Sequence, residues 1–150
     1  MRLLAVLIVL CSVAPASAET GPEAKRAAIR EVERLASDIG AMAASLWTYS
    51  ETALRETRSA ALLADRLERE GFRLERGVAE MPTAFVATWG EGRPVIGILA
   101  EYDALPGVGN APLPRKQPRE DGVTSGQGCG HNLFGAGSAG AALALQHAMK

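Results

Sequence analysis

Val95-Ile96-Gly97-Ile98-Leu99-Ala100 runs without a break into Glu101-Tyr102-Asp103. The apolar run is closed in front by the turn residues Gly90-Glu91-Gly92-Arg93-Pro94. A short continuous run bounded in this way predicts a strand buried on both faces. Helical patterns lie before and after it, which together predict an α/β layered domain. The two carboxylates alternate with Tyr102, so on an extended backbone they share one side of the chain. They stand at the carboxyl end of the predicted central strand, where open α/β sheets place ligands.

Upstream of this run the hydrophobic period changes twice. From Glu23 to Trp47 the residues Ile29, Val32, Leu35, Ile39, Met42 and Leu46 recur at three- and four-residue steps, the signature of a helix with one apolar face. Trp47-Thr48-Tyr49-Ser50-Glu51 interrupts it; its aromatics suit core packing or a pocket wall. A second helix is predicted from about Thr57, with Leu63 and Leu67 inward. Gly71 ends it as a left-handed cap, with Phe72 folding back on Leu67. A period of two then predicts strands over Phe72–Val78 and Ala84–Trp89.

Downstream, Ala104 to Gly128 is a connection carrying Pro106, Pro112, Pro114 and Pro118. Structureless loops beyond about 15 residues are uncommon and usually functional or disordered. This one is expected to fold over a site, with Arg115 to Asp121 as a solvated surface segment. It ends in Gly126-Gln127-Gly128-Cys129-Gly130-His131-Asn132. A Cys-x-His step on an extended backbone would point a thiol and an imidazole to one side. Thiolate and neutral imidazole are both good zinc ligands, while a glycine-rich turn holding a buried Cys and His is the plainer use of the same residues. Asn132 is the expected N-cap of a last helix. Its face of Gly135, Gly137, Ser138 and Gly140 is small enough to pack closely on a sheet.

The chain has 150 residues, a formal net charge of -1 and a hydrophobic content of 47%. That composition is globular, and its charge leaves no electrostatic footprint for nucleic acid. Arg2, the apolar run Leu3 to Val13 and the small-residue site Ala16-Ser17-Ala18 read as a secretory signal peptide over residues 1–18. Export to the periplasm or medium is therefore expected, with no stable membrane anchor after cleavage. Of the two cysteines, Cys11 would be removed, leaving Cys129 without a partner within the chain. A metal would protect such a thiolate.

Two rival motifs overlap the last helix. Gly135-Ala136-Gly137-Ser138-Ala139-Gly140 has the spacing of a dinucleotide fingerprint, and Ala136 to Gly140 nearly matches a nucleophile elbow centred on Ser138. Both need a strand immediately before them. The Gly-Cys-Gly-His-Asn segment is not one. His147, on an alanine-rich helix, is expected at the surface or in the core.

Gly97-Ile98-Leu99-Ala100-Glu101-Tyr102-Asp103-Ala104-Leu105-Pro106-Gly107, followed by Gly128-Cys129-Gly130-His131-Asn132-Leu133-Phe134-Gly135, resembles the metallopeptidase and amidohydrolase family of carboxypeptidase G and aminoacylase. Met81-Pro82-Thr83-Ala84-Phe85-Val86 and Trp47-Thr48-Tyr49-Ser50-Glu51 look most like its branch acting on p-aminobenzoyl-glutamate. The resemblance covers nearly all of the chain after the signal peptide. It implies that residues 19–150 are the N-terminal part of a three-layer αβα catalytic domain, with the remainder and a dimerisation domain further along, and that the full-length protein is a dimer. It implies hydrolysis of the amide bond of an N-acyl amino acid or dipeptide, using one or two divalent metal ions, zinc or manganese. Cys129 and His131 match metal ligands, and Asp103 matches the acidic residue supporting the metal centre. Relatives often carry His at the position of Glu101 and Asp at that of Asn132, so neither is assigned. The family's glutamate base and remaining ligands would lie downstream, and 150 residues alone are expected to be inactive. A serine hydrolase using Ser138 and a non-catalytic truncated product are the alternatives.

Overall fold

The computed structural model describes residues 21–150; the signal-peptide reading and Cys11 fall outside them. Among the described residues three helices and one hairpin make up the regular structure. In chain order these are helix α1 (Pro22–Tyr49), helix α2 (Thr57–Arg69), strand β1 (Arg73–Arg76), strand β2 (Phe85–Thr88) and helix α3 (His131–Ala148). No helix among the described residues is long and apolar enough to cross a membrane.

Helix α1 begins with Pro22 just inside its first turn, where a missing N–H costs nothing. Its inward stripe is Leu35, Met42, Ala43 and Leu46, all buried. Ile29 and Val32, expected on the same stripe, are exposed. Helix α2 starts at the predicted residue, but its first turn is capped from a distance. The Glu51 carboxylate accepts the Ser59 N–H at 2.8 Å and the Arg58 N–H at 3.1 Å. At its other end Gly71 is left-handed at φ 90°. The Phe72 N–H reaches Leu67 O at 3.2 Å and the Gly71 N–H reaches Glu68 O at 2.9 Å. That double bond pattern is the Schellman stop, and Phe72 packs beside Leu67 as expected.

Strands β1 and β2 pair antiparallel, with Arg73 opposite Thr88 and Arg76 opposite Phe85. A short 3-10 turn at Val78–Glu80 lies between them. The predicted central strand is not one. Among the described residues Val95 to Ala100 pairs with no strand, and Val95, Ile96, Ile98 and Leu99 are exposed. A strand needs neighbours to take its N–H and C=O groups, and the β1–β2 pair does not extend to this segment. Helix α3 covers it in part, and Ser138 Oγ donates to Leu99 O at 2.7 Å. The architecture is α/β, with a two-stranded sheet among the described residues.

The core lies between helices. Met42, Ala43 and Leu46 of α1 meet Leu63 of α2 and Ala136 and Ala139 of α3. Leu35, Leu67 and Leu143 form a second cluster. Helix α3 packs on α1 through Ala136, Ala139 and Gly140, while Gly135 and Ser138 of its small face meet the Leu99–Tyr102 segment rather than a sheet. Gly140 lets Ile39 of α1 press against its backbone. Gly135 has a different neighbour: a Cβ there would stand 2.8 Å from Glu101 O and 3.2 Å from Tyr102 Cβ. This contact fixes α3 against the segment that carries the acid pair.

Candidate metal centre

The residues Leu99 to Ala104 are held at intervals by other elements. Besides the Ser138 bond, Tyr102 Oη donates to Thr83 O at 2.6 Å, and the Ala104 N–H donates to Glu51 O at 2.7 Å. Tyr102 packs against the core, with its ring stacked on Phe85 at 6.1 Å. Alternation then turns Glu101 and Asp103 the other way. The long loop after Asp103 is closed at its base. Leu105 and Gly126 exchange two backbone hydrogen bonds, at 2.9 and 3.0 Å. Gly126 has to be glycine for this crossing, since a Cβ would lie 2.6 Å from Val108 O. The closure returns the chain beside Asp103 just before the Cys-Gly-His step.

That step is not extended. Gly128 and Cys129 form a turn, Gly130 is left-handed at φ 78°, and His131 opens α3. The two-residue alternation expected for Cys129 and His131 therefore does not apply. Nor is Asn132 the N-cap. The cap position is Gly130, and the Gln127 side chain accepts the Asn132 N–H at 3.0 Å from the loop. Asn132 is buried and spends its own amide on Ala43 O at 3.2 Å.

His131 reaches both acids. Its Nδ1 lies 2.8 Å from Asp103 Oδ1, and its Nε2 lies 2.9 Å from Glu101 Oε2. One ligand atom from each of Glu101, Asp103 and His131 falls within a 4.8 Å cluster. Asp103 and His131, both picked from the sequence, are thus brought together. Cys129 stands outside this cluster as a free, exposed thiol two residues before His131. Glu101, left unassigned in the sequence, is in the cluster; the Glu-Tyr-Asp alternation was its signal.

The donor set suits a divalent cation. A neutral imidazole has one N–H and one lone pair. With Asp103 accepting the Nδ1 proton, Nε2 turns its lone pair toward a carboxylate oxygen, acceptor against acceptor. A proton or a metal ion between them resolves that conflict. An imidazole whose second nitrogen is held by a carboxylate is the usual arrangement of a ligating histidine.

Three proteins of known name are similar to this chain. The chain is 40% identical over 105 residues to a component of the p-aminobenzoyl-glutamate hydrolase of Escherichia coli (strain K12), covering 70% of this chain and 22% of that protein. It is 31% identical over 132 residues to the human Xaa-Arg dipeptidase, covering 79% of this chain and 26% of the relative. The mouse Xaa-Arg dipeptidase is 30% identical over 136 residues, covering 84% and 28%. The chain belongs to the carboxypeptidase G and aminoacylase-like metallopeptidase and amidohydrolase family. It spans about a quarter of the length of these curated relatives. No protein-family model matches it.

The other candidate groups fall elsewhere. Ser138 lies inside α3 with its hydroxyl donated to Leu99 O, and no strand leads into it. The glycine fingerprint is likewise mid-helix. His147 Nδ1 is 3.9 Å from Glu31. The long loop folds against α1. There it encloses a cleft of about 820 Å³ lined by Ala43, Trp47, Asn110, Arg119, Gln127 and Leu133, among others. Its charged middle is not wholly solvated either. The Arg119 side chain is 5% exposed. It stacks 4.6 Å over the Trp47 ring and donates to Thr48 O at 2.9 Å, capping the end of α1. Its guanidinium holds the Asp121 carboxyl down at about 2.

Proposed function

We propose that this chain carries part of the metal centre of a metal-dependent amidohydrolase or peptidase. Its substrate class would be an N-acyl amino acid, such as p-aminobenzoyl-glutamate, or a dipeptide. The observation that carries the reading is His131, with a carboxylate oxygen at each ring nitrogen. The names of the relatives supply the reaction class: one belongs to a p-aminobenzoyl-glutamate hydrolase, and two are dipeptidases.

In this reading Asp103 accepts the Nδ1 proton and orients the ring, so that Nε2 offers its lone pair. Glu101 contributes an oxygen donor, and the Cys129 thiolate, outside the cluster but two residues before His131, moves in as a sulfur donor when metal binds. The set combines hard oxygen with imidazole and thiolate, and suits zinc, with manganese as the harder alternative. A bound divalent cation would polarise the scissile carbonyl and acidify water. The general base is taken from the family resemblance, in a part of the relatives that this chain does not span. The three-layer domain and the dimer implied by the family belong to the same proposal.

Elemental analysis of the purified full-length protein tests this reading. The wild type should hold stoichiometric zinc or manganese and release glutamate from p-aminobenzoyl-glutamate, or an amino acid from a dipeptide. His131→Ala and Cys129→Ser should each lose most of the metal, since a hydroxyl is a poor substitute for a soft sulfur donor. Unchanged metal content in both variants would contradict the assignment.

A further inference from the structure

Tyr102 sits between the two acids in sequence, yet its side chain runs the opposite way, into a chain of buried polar groups. Its hydroxyl donates to the carbonyl of Thr83 at 2.6 Å. Thr83 Oγ1 in turn donates to Glu56 Oε2 at 2.6 Å. Thr83 and Glu56 are both 7% exposed. Glu56 is the residue from which α2 starts, and its carbonyl accepts the Ala60 N–H at 2.8 Å. The acid segment is therefore tied through Tyr102 to the Met81–Ala84 turn, and through that turn to the head of α2. Burial and the Glu56 carboxylate push the phenol up to about 12, so it remains a donor at any physiological pH. On its far side Tyr102 Cβ meets the backbone of Gly135, one helical turn after His131.

We propose that Tyr102 is a positioning residue for the Asp103–His131 pair. Its phenol, bonded to the carbonyl of Thr83, whose own hydroxyl is anchored on Glu56, fixes the height and rotation of the extended segment against α3. Glu101 and Asp103 then meet the two ring nitrogens at the same time. Buried donors and acceptors of this kind are costly to leave unpaired, so the chain has one preferred arrangement. The inference rests on the metal-centre reading for its functional meaning, and its test reads the Asp103–His131 contact itself.

The test is the ring N–H proton of His131, followed by NMR in protein without added metal. In the wild type it should be observed and slow to exchange, because Asp103 accepts it. Tyr102→Phe, which keeps the ring and removes the hydroxyl, and Thr83→Val should speed its exchange about tenfold or abolish the signal. Thr83→Ser restores the hydroxyl and should behave as wild type. Leu67→Ala, in the other core cluster, should lower the melting temperature without changing the proton's exchange rate. Cobalt(II) titration of the same proteins should show affinity about tenfold weaker in Tyr102→Phe, the scale at which groups supporting a ligating histidine act. A wild-type exchange rate in Tyr102→Phe, or a wild type lacking the protected proton, would overturn the proposal. A protected proton lost in Tyr102→Phe, with no cobalt bound by the wild type, would support the positioning role and contradict the metal centre.

Discussion

At the scale of single residues, Glu51 does the most with one side chain. Its carboxylate gathers two backbone N–H groups and the hydroxyls of Ser59 and Thr57 at the open end of α2. Burial works to raise its pKa, and the hydrogen bonds from Ser59, Arg58 and Thr57 outweigh it, leaving the group below its ordinary 4.5. A depressed carboxylate stabilises the fold above its unfolded pKa, and that contribution disappears as pH falls through the folded value. Glu51→Gln is expected to cost about 1 kcal/mol near neutral pH, the worth of a helix cap. The difference from wild type should shrink as the pH is lowered below 4.5. Urea unfolding of both proteins across that range measures it; a difference that grows on acidification would show that Glu51 is not held as the anion. Residue chemistry was unevenly legible. Gly71 and Phe72 announced the stop of α2 because that motif is written in adjacent residues. The cap of α3 did not show, since Gln127 reaches it from the loop while the adjacent Asn132 turns inward to α1. Arg119 looked like one charge in a charged run, and only folding places it over Trp47.

Among elements, α3 decides the site, and its glycines are not equivalent. Gly137 has open space where a Cβ would go, whereas a Cβ at Gly135 would stand 2.8 Å from the Glu101 carbonyl oxygen. Alanine ordinarily favours a helix over glycine by about 1 kcal/mol. Gly137→Ala should therefore raise stability by roughly that amount. Gly135→Ala should lower it by about 1–3 kcal/mol, because a backbone contact has to move. Melting temperatures of the two variants give opposite signs if α3 lies on the acid segment as described, and equal gains would mean that it does not. The periodicity of α1, α2 and the hairpin came through clearly in the sequence. Val95 to Ala100 did not, for a physical reason: an apolar run reports a preference for burial, while a strand exists only where another backbone accepts its hydrogen bonds. With the β1–β2 pair confined to Arg73–Thr88, the run stays unpaired among the described residues.

For the whole molecule, two connections converge on one ring. The acid segment is tied to α1, α2 and the hairpin through Ala104 and Tyr102, and the loop closed at Leu105 and Gly126 brings α3 back to it. Asp103 and His131 were readable from sequence through the family motifs, whereas Glu101 was passed over because relatives often differ there. This convergence is proposed to hold a divalent cation on His131. Anomalous diffraction at the zinc edge from zinc-loaded crystals locates such an ion directly. The peak is expected about 2.0–2.1 Å from His131 Nε2, with Glu101 or Cys129 as a further ligand and Asp103 still on Nδ1. Zinc found only at other groups, such as His147, with both nitrogens of His131 still facing the carboxylates, would contradict the account.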